Sequence, residues 1–155
     1  MATSIVEQIA DDLLVTIAGV TIAAGYNNTL TAERAKQRYN FDDGPNRDNH
    51  VVIHQEDPAS MESAAINHAA WMQPFWCIAY VLEPEESGVA IDSRINSTRA
   101  DIEKALMVDP TRNGKAADTI IDDPVFVYGS AGELTAVAVR PMIHYRTLID
   151  DPFTQ

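Results

Sequence analysis

The feature that most constrains the fold of this chain is a long run near its end, residues 134–148, in which apolar residues recur in alternation. Alternation with a period of two is typical of a β-strand that buries one face. A second segment, residues 75–82, contains only apolar and aromatic residues, which indicates a central strand covered on both faces. The sequence therefore predicts a domain organised around a β-sheet.

Two helices are predicted from apolar residues at helical spacing. The first follows Ser4, a plausible N-cap, with Glu7 three residues later as in a capping box, and Gly19 offers a stop. The second ends at Asp109, because the residue before a proline is driven out of the helical region. The apolar stripes are Ile5, Ile9, Leu13 and Ile17 in the first helix and Ile91, Ile95, Ile102 and Leu106 in the second.

Three further segments precede the central strand. Residues 29–39 fit both an exposed strand and a helix, whereas residues 50–55 are β-branched and brief, as in a short strand. Asp57 followed by Pro58 predicts the start of a helix. The alanine-rich residues 61–72 then form either a packed helix or an arm that becomes ordered only against a neighbour.

The last strands are expected to form a hairpin. Residues 125–128 pair with residues 134–148, and Asp122-Asp123-Pro124 reads as a turn before them. Pro141 interrupts the second strand, so it must lie at an edge or a bulge. Two helices and about five strands in this order predict a single α+β domain over residues 1–155, a mostly antiparallel sheet with the two main helices packed on one face.

Composition excludes some classes of function. The chain has 23 acidic and 11 basic residues, a formal net charge of −12, which repels phosphates, so binding of free DNA or RNA is not expected. The one cysteine, Cys77, lies in an apolar stretch and is expected to be buried and unreactive. No leader peptide and no membrane-spanning segment are expected.

Candidate chemical sites are weak. His50 and His54 share one face of a strand with Glu56, but they would stand about 13 Å apart, too far to hold one metal ion. Residues 42–48 offer oxygen ligands without the acid spacing of a calcium loop, and neither Ser87 nor Ser130 lies in a nucleophile elbow. We therefore expect no enzyme, no metal and no cofactor.

The order of the elements adds a resemblance. It rests on the helix at residues 5–9, the strand at 75–82, the helix at 102–106 with the Asp-Pro-Thr-Arg-Asn-Gly-Lys-Ala sequence at 109–116, and the final strand that ends in Tyr145-Arg146-Thr147 before an Asp-Pro tail. Over nearly the whole chain this arrangement resembles the tail terminator and tail-completion proteins of long-tailed phages. The resemblance also favours a strand within residues 29–39.

The resemblance implies structural work in a virion. Members of that family form a hexameric ring that caps the completed tail tube, stops tube polymerisation and joins the tail to the neck or head connector. The expected partners are other copies of the chain, the tail tube protein and a neck or head-completion protein, with DNA only as passing cargo and no membrane. The protein would be made in the host cytoplasm and reside in the tail and neck region.

Two sets of residues are candidates for this role. Apolar side chains that would otherwise be exposed are candidates for the interface between copies: Met61, Trp71, Met72, Val51 and Ile53. Acids in turns are candidates for the channel wall, where repulsion of phosphates favours sliding of DNA: Asp42, Asp43, Asp48, Glu85 and Glu86. The alternative is that these acids only solvate the outer surface.

Two other functions remain open. The protein could be a head-closure or tail-completion protein one layer higher in the neck. In a different class, it could be a small acidic cellular module that binds a basic partner. The mass in solution separates these cases, because a stable monomer with one basic partner favours the module and a ring favours the terminator.

Overall fold

The structure, a computed structural model, describes residues 3–36, 47–61, 66–82, 88–128 and 134–155. These residues contain two α-helices, a short 3-10 helix and six β-strands. In chain order the elements are α1 (Ile5–Ala18), the 3-10 helix (Ile22–Ala24), β1 (Thr31–Arg34), β2 (His50–Gln55), β3 (Ala59–Met61), β4 (His68–Leu82), α2 (Ile91–Val108), β5 (Asp118–Tyr128) and β6 (Leu134–Leu148).

The strands form one sheet in the order β1, β2, β4, β6, β5, and β3 also pairs with β4. The first two strands run parallel, and the other paired strands are antiparallel. Strands β2 and β3 pair with the same edge of β4, β2 with its C-terminal half and β3 with its N-terminal half. Strand β6 pairs with the other edge of β4 along both halves. The fold is α+β with a mostly antiparallel sheet, which confirms the predicted class.

Helix α1 begins and ends where the sequence predicts, and α2 ends where the sequence predicts. The Ser4 hydroxyl accepts a hydrogen bond from the Glu7 N–H at 3.3 Å, which satisfies one of the free donors at the start of α1. Helix α1 stops at Gly19, and α2 stops at Asp109, ahead of the proline. Local signals therefore determine both bounds of α1 and the end of α2, whereas no side-chain cap marks the start of α2 at Ala90.

The main core lies between the helices and one face of the sheet. From the helices, Ile9, Leu13, Ile102 and Leu106 are fully buried. The sheet contributes the side chains that face them, among which are Phe75, Cys77, Val81, Val137, Val139 and Ile143. Burial of each large aliphatic side chain contributes about 1.5–3 kcal/mol, so this layer supplies most of the hydrophobic stabilisation.

A smaller apolar cluster lies on the opposite face of the sheet. Val52, Ile78, Tyr80, Ala136 and Ala138 are all buried there, although they point away from the helices. Burial on both faces is what the purely apolar residues 75–82 predict for a central strand. Side chains alternate along β4, so Ile78 lies on the face opposite that of its neighbours in sequence.

The predicted helix after Asp57 is wrong where the structure describes it. Ala59–Met61 forms β3, and β4 already begins at His68, so neither a helix nor an unpaired arm is formed by these residues. Strand pairing on both sides of β4, with β3 and with β6, overrides the helical propensity of the alanines. Within residues 29–39, Thr31–Arg34 forms a strand, as the resemblance favoured.

The C-terminal hairpin is confirmed, with three corrections. Strand β5 begins at Asp118, well before the expected start, and the Asp122–Val125 segment is a β-bulge inside it rather than a turn. Strand β6 lies between β4 and β5, so Pro141 is not on an edge strand. In the pairing of β4 with β6, Pro74 is opposite Met142 and the next pair is Cys77 with Val139. The ladder is therefore interrupted at Pro141.

Candidate functional site

An exposed apolar surface lies on the sheet face away from the helices, in the half formed by β3 and the paired ends of β4, β5 and β6. Directly opposite residues of antiparallel strands point to the same side, and the register places Met142 opposite Ile120. Likewise Met72 is opposite Ala59, and Met61 is opposite Ala70. We call the set Met61, Met72, Ile120 and Met142 the methionine face.

The methionine face differs from the rest of the same sheet face in its exposure. Ile120 is 46% exposed and Met61 40% exposed, and Met72 and Met142 are half-buried. The other half of this face, around Ile78, is buried within the chain except at the β5 edge, where Val125 is 45% exposed. Methionine side chains are flexible and polarisable, so they adapt to the shape of a partner.

The predicted interface residues are divided between the two faces. Met61 and Met72 lie on the methionine face, but Trp71 points to the helix side, where its indole N–H donates to the Thr147 hydroxyl at 3.3 Å. Val51 and Ile53 are 0% and 3% exposed and belong to the main core. Their side chains are therefore not on the surface, and the proposal that they form an interface is corrected.

Of the predicted channel acids, Asp48 is the one that the structure describes. Its carboxylate accepts a hydrogen bond from the Leu82 N–H at 3.0 Å and pairs with Arg94 at 2.6 Å. Asp48 therefore connects the end of β4 to α2. The remaining candidates, Asp42, Asp43, Glu85 and Glu86, lie outside the described residues.

A charged cluster borders the methionine face. Arg140 donates from Nε to the Glu56 carboxylate at 2.8 Å and from a terminal nitrogen to Asp122 at 3.0 Å. Its guanidinium also lies 5.2 Å from the centre of the Trp76 ring, within cation–π distance. The hydrogen bond to Glu56, and the pairing with Asp122, raise the pKa of Arg140.

A fully buried arginine connects both helices to β5. Arg112 donates to the Leu106 carbonyl at the end of α2 and to the Thr119 hydroxyl at 3.3 Å, and it lies 3.5 Å from Asp12 of α1. Burial lowers the pKa of Arg112, and Asp12 and Asp109 act in the opposite direction. Burial also raises the pKa of Asp12, which Arg112 opposes.

A buried carboxylate anchors the loop that precedes β1. Asp101 of α2 accepts four hydrogen bonds, from the backbone and side-chain N–H groups of Asn27 and Asn28, at 2.8–3.1 Å. Asp101 is only 1% exposed to solvent. Each oxygen of this carboxylate is satisfied, so we assign it a structural role.

Cys77 and His50 are residue types that often act in catalysis, but each has a structural explanation in this protein. Cys77 is buried on the helix side of β4, and its burial raises the pKa of the thiol to about 12. His50 lies 2.9 Å from the Thr31 hydroxyl through Nδ1 and 3.3 Å from Glu33 through Nε2. The imidazole is buried and joins the two parallel strands β1 and β2.

Within the described ranges, no group of three or more histidine, cysteine, aspartate or glutamate side chains is arranged to hold a metal ion. No helix among the residues that the structure describes is long and apolar enough to cross a bilayer. A scan against protein-family models and a search of curated proteins both returned no match for this chain.

Sequence reasoning missed Ile120, Met142 and Arg140. The signal for Met142 was present, because strict alternation along residues 134–148 puts it on the face opposite Ile143 and Tyr145. Ile120 was missed because the strand was expected to begin at residue 125. Arg140 could not be recognised, because Glu56 is distant in sequence and Asp122 was expected to lie in a turn instead of the strand that pairs with β6.

Proposed function

We propose that this protein is a structural virion protein of the tail-terminator kind, and that copies of the chain assemble into a closed ring through the methionine face. The observation that supports the proposal is the contrast within one sheet face. Apolar residues in one half are buried by the chain itself except Val125 at the β5 edge, and Met61 and Ile120 in the other half stay 40% and 46% exposed. Exposed apolar patches on a compact domain mark interaction surfaces.

The charge at the methionine face favours a second copy as the occupant. Two molecules with a net charge of −12 repel each other over most of their surfaces. At this face, however, Asp118 and Arg146 carry opposite charges, and Arg140 is already paired with Glu56 and Asp122. Copies of the chain can therefore approach here with less repulsion than elsewhere.

A ring requires that one surface meets a different surface of the next copy. In the proposed function, a hexameric ring of this kind caps the completed tail tube, ends tube polymerisation and contacts the neck or head-completion protein. Genomic DNA passes through the opening without binding, which suits an acidic protein because phosphates are repelled. The resemblance in element order supports this assignment, and no catalytic step is required.

Solution mass tests the assembly step. The wild-type chain is compared by sedimentation velocity with Ile120→Arg and Met61→Arg over a range of about 1–100 µM. Both variants make the net charge less negative, so general repulsion alone would favour association. We expect the wild-type chain to assemble and both variants to shift toward monomer, because each buries a charge in the interface.

Met107→Arg is the matched control. Met107 is 49% exposed on α2, on the helix side, and the substitution changes the charge by the same amount. We expect this variant to assemble like the wild type. A wild-type chain that stays monomeric at all concentrations, and that binds one basic partner, would contradict the proposal and favour the binding module.

Termination itself is tested with polymerising tail tube protein. Addition of the wild-type chain is expected to stop tube growth and shorten the tubes measured by electron microscopy, with rings at tube ends. The Ile120→Arg variant is expected to leave tube growth unchecked. Tubes of unchanged length in the presence of assembled wild-type rings would contradict the terminator role while leaving ring formation intact.

A further inference from the structure

A second exposed apolar surface lies at one end of the sheet, beyond the start of β4 and the end of β6. Ile66, Ile149 and Phe153 are 88%, 69% and 46% exposed there. The Ile149 N–H donates to the Asn67 carbonyl at 3.1 Å, and the Thr154 carbonyl accepts from the last residue of β6 at 3.0 Å, so the segments that carry these side chains are joined. We call Ile66, Ile149 and Phe153 the apolar tip.

The direction of the apolar tip is compatible with a closed ring. In a ring of identical copies, the two contact surfaces of each copy point in directions that differ by about 120° for six copies and by about 90° for four. The tip lies at the end of the strands and the methionine face lies on their flat side, so the two directions are roughly at right angles. Exposed apolar residues of the helices, such as Val15 and Val108, lie on the side opposite the methionine face, and contacts there would extend copies into an open stack.

The charges of the two surfaces are complementary. Asp150, within the segment that carries the tip, is exposed and has no ion pair in the ranges that the structure describes. Arg146 is also exposed without an ion pair among the described residues, although acids are in excess. Arg146 lies across β4 from Met61, because both are opposite Ala70. With His68 it lines a cavity of about 360 Å³, which has room for a carboxylate.

We infer that the methionine face of one copy receives the apolar tip of the next copy, and that Asp150 of the tip pairs with Arg146 beside the methionine face. The inference rests on the ring proposed above and names the second surface that such a ring needs. Removal of the tip from water supplies the affinity. The charge pair fixes which surfaces of two acidic molecules meet.

Sedimentation velocity of a tip variant of the full chain tests the inference. Ile149→Arg is expected to raise the concentration needed for assembly by about tenfold, because its guanidinium would be buried against an apolar face. Val15→Arg is the matched control, since Val15 is 71% exposed and the change in charge is the same. We expect this control to assemble like the wild type. If Ile149→Arg assembles like the wild type, the tip contact is overturned, and assembly through the methionine face still stands.

A mixture of two variants tests whether the two surfaces meet each other. Ile120→Arg keeps the apolar tip, and Ile149→Arg keeps the methionine face. Each alone is expected to be monomeric, whereas an equimolar mixture at about 100 µM is expected to form a heterodimer and nothing larger, because one intact contact remains and the ring cannot close. A mixture that stays monomeric would overturn the pairing of the tip with the methionine face.

Exchange of the two charges tests the ion pair. Asp150→Arg and Arg146→Asp are each expected to weaken assembly about fivefold, and the chain with both substitutions should assemble like the wild type. Asp150→Arg makes the net charge less negative, so general repulsion cannot explain its loss of assembly. Failure of the double substitution to restore assembly would overturn the pairing. A wild-type chain that stays monomeric would contradict the proposed ring itself, and the inference with it.

Discussion

Single polar side chains inside the core hold the elements of this protein in place. Arg112, in the turn after α2, contacts α1, α2 and β5. Asp101 of α2 binds Asn27 and Asn28 through hydrogen bonds. A buried charge is tolerated only when its partners are complete, since an unpaired one costs several kcal/mol. The predicted pattern of apolar residues could not reveal these contacts, because each joins residues far apart in sequence.

The burial of Asp12, which outweighs its attraction to Arg112, predicts a specific dependence of stability on pH. The pKa of Asp12 in the folded protein is above its ordinary value of 3.8. Its contribution to stability is therefore complete below that value and is lost as the pH rises through the folded pKa. Relative to Asp12→Asn, the wild type should lose free energy of unfolding as the pH increases from about 4 to 7.

Urea unfolding of both proteins across this pH range measures the difference, and other acids cancel because both chains contain them. An opposite slope, with the wild type gaining stability relative to Asp12→Asn at higher pH, would show that attraction to Arg112 outweighs burial.

Cys77 should be almost inert in the folded protein. A pKa raised to about 12 from 9.0 reduces its thiolate fraction by about a thousandfold at neutral pH, and burial blocks access as well. A disulfide reagent such as DTNB should therefore react only after unfolding in urea. Rapid labelling of the native chain would mean that β4 opens without global unfolding.

At the scale of whole elements, the sequence predicts those whose signals are local. Capping residues and a four-residue apolar repeat located α1 and α2, and the purely apolar residues 75–82 located the centre of β4. The first residues of β4 and all of β3 were missed, because alanine-rich segments carry no period and their strands are stabilised by neighbours distant in sequence.

The turn after α2 has a conformation that a local carboxylate supports. Arg112, Asn113 and Gly114 all have positive φ angles, of 49°, 55° and 75°, a region that disfavours residues with a Cβ. Asp109 stabilises the turn by accepting hydrogen bonds from the Thr111 N–H and hydroxyl and from the Asn113 N–H. The Thr111 hydroxyl is the main cause that lowers the pKa of Asp109.

Thr111→Val keeps the shape of this side chain and removes its hydroxyl. We expect the pKa of Asp109 to rise toward 3.8, because one charge-assisted hydrogen bond to the ionised form is lost. The favourable contribution of Asp109 disappears as the pH falls through its folded pKa, so the variant loses it at a higher pH. An NMR titration of the carboxyl carbon measures this, and an unchanged pKa would contradict the role of the hydroxyl.

For the whole molecule, net charge opposes the assembly that the methionine face favours. Copies that each carry −12 repel over distances comparable to the Debye length. We therefore expect assembly to strengthen as salt is raised from about 50 to 500 mM, which screens repulsion and leaves the apolar contact in place. Sedimentation velocity measures the shift. Dissociation at high salt would instead show that opposite charges hold the copies together.

The position of the β5 bulge has a consequence for solubility. Strand β5 is the outermost strand on one side of the sheet, and eleven residues of unpaired backbone would invite another chain to add its own strand. The bulge at Asp122–Val125 interrupts that backbone near its middle, and two carboxylates and a proline occupy it. An approaching strand would meet negative charge and a missing donor. This edge is thereby protected from open-ended fibre growth, and association is left to surfaces that can close.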